Sequence, residues 1–576
     1  MRLRRLEITR FRGIRALDWR HIGNTVAIVG PGDSGKSTTV DAIERVLTPR
    51  WNFPFDDADF WNVDTSQPIV VRATLTDLPA EFFRDTKFGL CMQVYDQESG
   101  TAIPSTEDRS EPAALVVELR VDETLEPKWN VIDEHGGEHR FQAGDREALG
   151  MLRVGDYVDH HLAWSRTSTL TRLTSSGDAV TAVLAEATRQ ARTGVKQHDL
   201  VRLNEAAEAV ERLAGDIGVS AHSKYRPHLD VGSLSIGSGS LSLHDGDVPL
   251  RRAGLGTRRL LAIAMQREAA STQGLTLVDE FEHGLEPHRI RKLLRVLRGR
   301  PPENKGAGVH EGGQLILTTH SPTVLAELEP SDLFVAVRAS DDSVAVECLP
   351  DDIKYVVRRV PSALLARRVV VLEGATEEGI LTALDEFWEQ QNKPSFSYCG
   401  VAVVDGGGGT QPAEVAGALH RLGYDVALLI DSDAKAKPSR AEGAKVLQWP
   451  GGMCTEERLA LDLPRDGLST LVDLATRSTA KGFRSVRDCL AQTLGIESKT
   501  FGDDPTKWLD LAELSDGIDE QVFRQKFGRL AHEKDWFKTR ALGRELGAIV
   551  CAHWDALKGT PTRDVFDQVD TFAHDG

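Results

Sequence analysis

The chain has 576 residues, 40% of them hydrophobic and 27% charged, with a formal net charge of −18. That length exceeds what one hydrophobic core serves, so two or three domains are expected, and the ordinary composition excludes bulk disorder. The acidic balance excludes a surface coated everywhere by nucleic acid, while leaving room for a local basic groove or for bound cations that hold a phosphate backbone.

The six cysteines are scattered, without a C-x-x-C pair, and read as reduced thiols. No segment has the apolar length of a signal peptide or a membrane span, so a cytoplasmic protein with no membrane partner is expected.

At the start, LRRLEITRF and TVAIVG read as strands and a helix is expected from about Lys36 to about Leu47, a β-loop-α entry to an α/β domain. Between strand and helix stands GPGDSGKS, residues 30–37. Its spacing, G-x-x-x-x-G-K-S, in that context predicts a phosphate-binding loop. Gly30, Gly32 and Gly35 let the backbone wrap, and the N–H groups of Asp33, Ser34 and the helix start, with Thr38 beside them, face phosphate oxygens. Lys36 reaches the β and γ phosphates and Ser37 supplies a hydroxyl to Mg²⁺.

From about 65 to 145, short β-rich pieces such as IVVRATL and AALVVELRV predict an antiparallel sheet within the same domain. Residues 179–216 are Ala-rich and helical in period, with Gly194 as a break, and predict a helical hairpin insertion. The strand LTLVDE then ends in two acids: Asp279 to hold the Mg²⁺ shell and Glu280 to orient or deprotonate water. LILTTHSP brings His320 to another strand tip, where a histidine alone is more often a structural donor than a catalytic group.

After Pro361 a second strand–helix series begins. RRVVVLEG ends at Glu373, with Glu377 four residues later at a helix start; VAVVDGGGG ends in Asp405; VALLIDSD ends in Asp431 and Asp433. Residues i and i+2 of a strand share a face, and the carboxyl ends of parallel strands line one crevice, so these acids are expected to converge. Their repulsion calls for a basic side chain, a shared proton or a divalent cation, and hard carboxylate oxygens favour Mg²⁺ or Mn²⁺. The bland reading is that each acid caps a helix or pairs on the surface.

The order of phosphate loop, Asp-Glu strand and His-ended strand resembles the ATP-binding-cassette family, in the branch of RecF-type and SMC-type DNA-repair ATPases. The resemblance implies bound ATP, a contact from His320 to its γ-phosphate, and a signature loop at 252–259, where Gly256 and Thr257 stand before a helix. A Glu at one strand end and Asp-x-Asp at a later one resembles the TOPRIM fold of topoisomerases, primases and related nucleases. The two together resemble the OLD (overcoming lysogenization defect) nuclease family, and most of all its class 2 branch, which includes the nuclease subunit of Gabija anti-phage defence.

What that resemblance implies is an α/β chain: an ABC-type ATPase domain over 1–350, with a helical dimerisation insertion at 170–217, followed by a Rossmann-like TOPRIM domain over 351–576. Its activity would be metal-dependent cutting or nicking of double-stranded DNA. Glu373, Glu377, Asp431, Asp433 and Glu456 would hold two metal ions, with Asp405 a ligand or an orienting neighbour. Glu456 stands in MCTEERL, with Glu457 the alternative by one register, and Lys538 in HEKDWFKTR would stabilise charge on the scissile phosphate. A homodimer or higher oligomer and a UvrD-like helicase would be its protein partners. The rival on the same residues is a RecF/SMC-like repair ATPase with a non-catalytic TOPRIM domain.

Overall fold

The computed structural model describes residues 1–105, 111–154, 159–162, 242–269, 274–298, 313–350, 360–432, 438–478 and 482–574, with the single positions 170, 186, 190 and 353. The helical hairpin expected at 179–216 and Asp433 lie outside the described residues, save Glu186 and Gln190, both helical.

Strands β1 (Arg2–Phe11) and β2 (Ile14–Trp19) form a hairpin. β3 (Thr25–Val29) leads through the phosphate loop into the helix Lys36–Leu47, with the bounds expected from sequence. β4 (Ile69–Thr76), β5 (Gln93–Asp96), β6 (Thr101–Ile103), β7 (Ala113–Val121), β8 (Pro127–Ile132) and β9 (Glu138–Arg140) then join β1 and β2 in an antiparallel sheet of order β2-β1-β4-β7-β5-β6, with β8 and β9 continuing from β7. The opening segment LRRLEITRF is a strand as expected, and it lies in this antiparallel sheet rather than beside β3. The tight connection at Arg12 and Gly13 folds it back on β2, and its other edge takes β4 in antiparallel register.

β3 instead lies in a second sheet with β10 (Leu152–Val154), β13 (Leu275–Val278), β14 (Gln314–Thr318), β15 (Leu333–Arg338) and β16 (Val344–Cys348); a small hairpin of β11 (His244–Asp245) and β12 (Val248–Pro249) stands apart. The order is β10-β13-β14-β3-β15-β16, parallel as far as β15. The phosphate-loop helix is buried between the two sheets: Val40, Ile43 and Leu47 pack with Leu6, Val71 and Leu115 of one and Ile28, Leu277 and Ile316 of the other.

A third sheet holds β17 (Arg368–Leu372), β18 (Val401–Asp405), β19 (Asp425–Ile430) and β20 (Lys445–Gln448), all parallel, in the order β18-β17-β19-β20. RVVVL and VALLI are continuous apolar runs because both sheet faces are covered. Val369, Val371, Val426 and Leu428 share a core with the helix Gln411–Arg421 and with Ala27, Leu317 and Val335 of the second sheet. Val370, Leu372, Ala427 and Leu429 face the other way, into helices that run from Thr455 to His574.

The starts of the two central strands stand beside the phosphate loop. Arg367, Gly423 and Tyr424 line a cavity of about 400 Å³ together with Pro31, Asp33 and Ser34.

Candidate functional site

At the second sheet the phosphate loop closes on itself. Lys36 Nζ donates to the carbonyls of Gly30 at 3.1 Å and Pro31 at 2.6 Å, and burial pushes its pKa down to about 8 despite the nearby Asp33 and Asp279. Ser34 Oγ donates to Pro31 O, and Asp33 holds a left-handed φ of 59°. Ser37, in the first turn of the helix, donates to Asp279 Oδ1 at 3.2 Å, and Thr318 at the end of β14 donates to the same oxygen at 2.5 Å. The nucleotide-site tips therefore touch, as expected from their order along the chain.

Burial lowers the pKa of His320 and the charge of Lys36 lowers it further, against Glu282, Glu280 and Asp279. The loop, the Asp-Glu tip and the histidine tip face one another. Glu280 takes a φ of 45° and its carboxylate lies 3.3 Å from His283 Nδ1.

Two arginines that sequence reasoning missed brace this site. Arg153, on the edge strand β10, donates to Asp41 at 2.9 Å and Asp279 at 3.3 Å. Arg259, buried in the helix Leu255–Ala269 that begins within the signature-like stretch 252–259, donates to the carbonyls of Asp279 and His283. Arg153 stands in no motif and Arg259 closes the signature-like stretch 252–259, but only the folded contacts show what either one touches.

At the carboxyl ends of the third sheet, Glu373, Glu377, Asp405, Asp431 and Lys538 line a cavity of about 270 Å³. Glu373 follows β17 and accepts from the Asp431 backbone N–H at 2.9 Å, which ties the tips of β17 and β19. Glu377 and Asp431 are buried, and both meet Thr455: its hydroxyl lies 2.8 Å from Glu377 Oε1 and 3.1 Å from Asp431 Oδ1, and its N–H donates to that Asp431 oxygen. Asp405 accepts from Gly407 N–H, at the start of a loop where Gly407, Gly408 and Gly409 all take positive φ, a conformation natural to glycine. That glycine run lets the chain pass over the cavity edge without a side chain filling it.

Glu456 is buried in the first turn of the helix Thr455–Asp462 and pairs with His532 Nδ1 at 3.3 Å and Lys538 Nζ at 3.8 Å. Glu457 turns away and accepts from the Cys454 N–H, capping its own helix. Of the two registers, the geometry brings Glu456 to the cluster.

The electrostatics show what such crowding costs. Burial raises the Asp431 pKa, and the charges of Glu373, Glu377 and Glu456 raise it further. Burial and Glu456 raise Glu377 in the same way. Glu456 behaves oppositely: burial alone would raise it, but the His532 hydrogen bond and the Lys538 charge hold it below its ordinary value. Burial lowers Lys538, yet Glu456, Glu377, Asp431 and Glu373 together raise it.

The acids are thus brought together rather than scattered, and among the described residues lining the cavity Lys538 is the single cation. The donor set fits a divalent cation: hard oxygens from three strand tips and two helix starts, one of them the buried Glu456 Oε1, which makes no hydrogen bond. Thr455, Cys454 and His532 were not singled out from sequence, although they stand in the segments that supplied Glu456 and Lys538.

Comparison with known proteins agrees with this architecture. Residues 364–433 match the family model described as "Overcoming lysogenization defect protein-like, TOPRIM domain", a stretch that runs from before β17 to Asp433. Residues 3–59 match "P-loop containing region of AAA domain" and residues 157–326 match "AAA domain, putative AbiEii toxin, Type IV TA system". An OLD nuclease of Thermus scotoductus is 25% identical over 490 residues, 76% of this chain and 84% of that protein. Two solved structures overlap more loosely, each at 14% identity. The SMC head bound to the C-terminal winged-helix domain of ScpA has a TM-score of 0.32, covering 60% of this chain and 97% of its own. The SMC head domain from Thermotoga maritima has a TM-score of 0.28, covering 61% and 100%. With an ATPase domain in front and an OLD-like TOPRIM domain behind, the chain is similar in its domain order to an OLD nuclease.

Proposed function

We propose that the chain is a divalent-metal-dependent DNA endonuclease or nickase whose TOPRIM domain, within 351–576, cuts and whose ATPase domain, within 1–350, binds or hydrolyses ATP to regulate it. The observation that carries the reading is the meeting of Glu373, Glu377, Asp405, Asp431 and Glu456 beside Lys538, at a cavity open to solvent and not filled by arginine. Asp433 completes the acid set by its place two residues beyond Asp431.

Mg²⁺ or Mn²⁺ bound there supplies charge neutralisation at the scissile phosphate and an acidified water. The chain's own residues divide the remaining work. Glu373, Glu377, Asp431 and Glu456 would hold two metal ions between them, with Glu456 on the side away from the cavity; Asp405 orients at the cavity edge; Thr455 keeps Glu377 and Asp431 turned to the same side. Lys538 places a positive charge where the phosphate oxygens enter.

At the other site Gly30–Ser37 and Thr38 cradle the nucleotide phosphates, Asp279 and Ser37 hold its Mg²⁺, and Glu280 and His320 address the γ-phosphate. The insertion at 170–217 pairs two copies of the chain. The resemblance of the sequence to the class 2 OLD branch implies a role in anti-phage defence alongside a UvrD-like helicase.

The test is plasmid cleavage in Mg²⁺ or Mn²⁺, with and without ATP, by the wild type and by Glu373→Ala and Asp431→Ala. Both substitutions are expected to abolish nicking, and intact cleavage by either one defeats the proposal.

A further inference from the structure

The carboxylate cluster has two sides of different chemistry. Toward the cavity its donors are all oxygen, from Glu373, Glu377, Asp405 and Asp431. Behind Asp431 they are not: Asp431, Cys454, Glu456 and His532 each offer a donor atom, and the four atoms lie within 4.8 Å of one another. Asp431 belongs to both sides.

The second group is built by two helices pressed together. Cys454 caps the helix Thr455–Asp462, Glu456 lies in its first turn, and His532 ends the helix Glu520–Glu533. One turn before His532 stands Gly528, where a Cβ would come 2.7 Å from the Glu457 Cα and 3.0 Å from the Glu456 carbonyl. The missing side chain brings the helices close enough for His532 to meet Glu456. Asp431, Cys454 and Glu456 are each 3% exposed or less, and the buried Glu456 Oε1 makes no hydrogen bond, with Lys538 Nζ at 3.8 Å. An acid, a thiol, an imidazole and a carboxylate oxygen without a hydrogen bond form a donor set that a hard cation does not need.

We propose that Asp431, Cys454, Glu456 and His532 form a distinct metal position that takes a borderline cation of the Zn²⁺ or Co²⁺ class in preference to Mg²⁺, while the all-oxygen side takes Mg²⁺ or Mn²⁺. The warrant is ligand type: imidazole and thiolate select the later divalent metals, whereas carboxylate, carbonyl and water suit Mg²⁺ and Mn²⁺. Coordination releases the Cys454 thiol proton to solvent, leaving the sulfur as thiolate on the metal. Asp431 bridges the two positions with one carboxylate. This inference rests on the nuclease reading only in placing a cation at Asp431.

Co²⁺ is the probe, because sulfur ligation gives a thiolate-to-metal absorption band that oxygen ligation lacks. The metal-free full-length protein is titrated with Co²⁺ in the presence of excess Mg²⁺, reading absorption and, in parallel, calorimetric stoichiometry. The expected result is one Co²⁺ that Mg²⁺ does not displace, carrying the sulfur band. Cys454→Ser removes the band, and His532→Ala weakens Co²⁺ binding by about tenfold or more. Thermal melting confirms that each variant is folded. Co²⁺ that binds without a sulfur band, or that Mg²⁺ displaces, overturns the mixed-donor position and leaves the nuclease reading standing. Failure of both Co²⁺ and Mg²⁺ to bind overturns both.

Discussion

Gly543 packs its Cα against the backbone carbonyl of Thr376, so closely that a Cβ there would lie 2.1 Å from that oxygen. Gly379 and Gly547 continue the seam, and it joins the helix Ala375–Gln390, which begins beside Glu373 and carries Glu377, to the helix Arg540–Ala552, which begins two residues after Lys538. Acid and lysine are held in one site by a line of absent side chains. Gly543→Ala is expected to force the helices apart, destabilise the fold by about 1–3 kcal/mol and lower cleavage. Gly144→Ala, where a Cβ meets nothing within 4 Å, serves as the control and should change stability by no more than about 1 kcal/mol. Equal melting temperatures for the two variants would remove the seam from the account.

Lys538 is the cation that faces Glu456, Glu377, Asp431 and Glu373 at once. Lys538→Ala should lower single-turnover nicking by about 10²–10³-fold, with far less change in DNA affinity measured by anisotropy. Lys538→Arg should recover part of the rate. A loss confined to DNA binding would make Lys538 a general phosphate contact instead.

Metal and pH act on the same acids. The pKa values of Asp431 and Glu377 are raised in the fold, so this pair favours folding in its protonated form. That stability is fully present below the ordinary carboxylate pKa of about 4 and is lost as pH rises toward the raised folded values. A divalent cation needs the ionised acids and so opposes the loss. The melting temperature gained on adding Mg²⁺ in place of chelator should be larger at pH 8 than at pH 6; an equal or smaller gain at pH 8 contradicts the cluster as the metal's place.

Lys36 supplies a second pH dependence with the opposite partner. Burial holds its pKa near 8, while nucleotide phosphates favour the charged form. Affinity for ATP should therefore fall by about tenfold between pH 7 and pH 9, following the charged fraction of the free protein. Fluorescent-nucleotide titration of wild type and Lys36→Met tests this: the variant binds weakly at both pH values, and a wild-type affinity that stays flat argues against Lys36 as the phosphate contact.

Much of this was written locally. The phosphate loop could be read because its helix start and its strand are contiguous, and the acids after β17, β18 and β19 because each ends an apolar run. What local pattern could not supply was the meeting of distant helices. Glu456 and Glu457 differ by one position, about 100° around a helix, and only the packing of the helix Glu520–Glu533 turns the first inward. Thr455, His532 and Arg153 sit in unremarkable sequence, and they, like Arg259 at the end of the signature-like stretch, acquire partners through tertiary contact alone. The opening strand could be read as a strand but not placed in a sheet, because strand character says nothing about which neighbour it will bond.

The cavity beside the phosphate loop shares its framework with the acid cluster. Arg367 immediately precedes β17 and Tyr424 immediately precedes β19; the far ends of those strands carry Glu373 and Asp431. Five or six extended residues make a rod of about 17–20 Å that neither stretches nor shortens appreciably. Residues that line the phosphate-loop cavity and acids that line the second cavity therefore stand at opposite ends of the same two hydrogen-bonded strands.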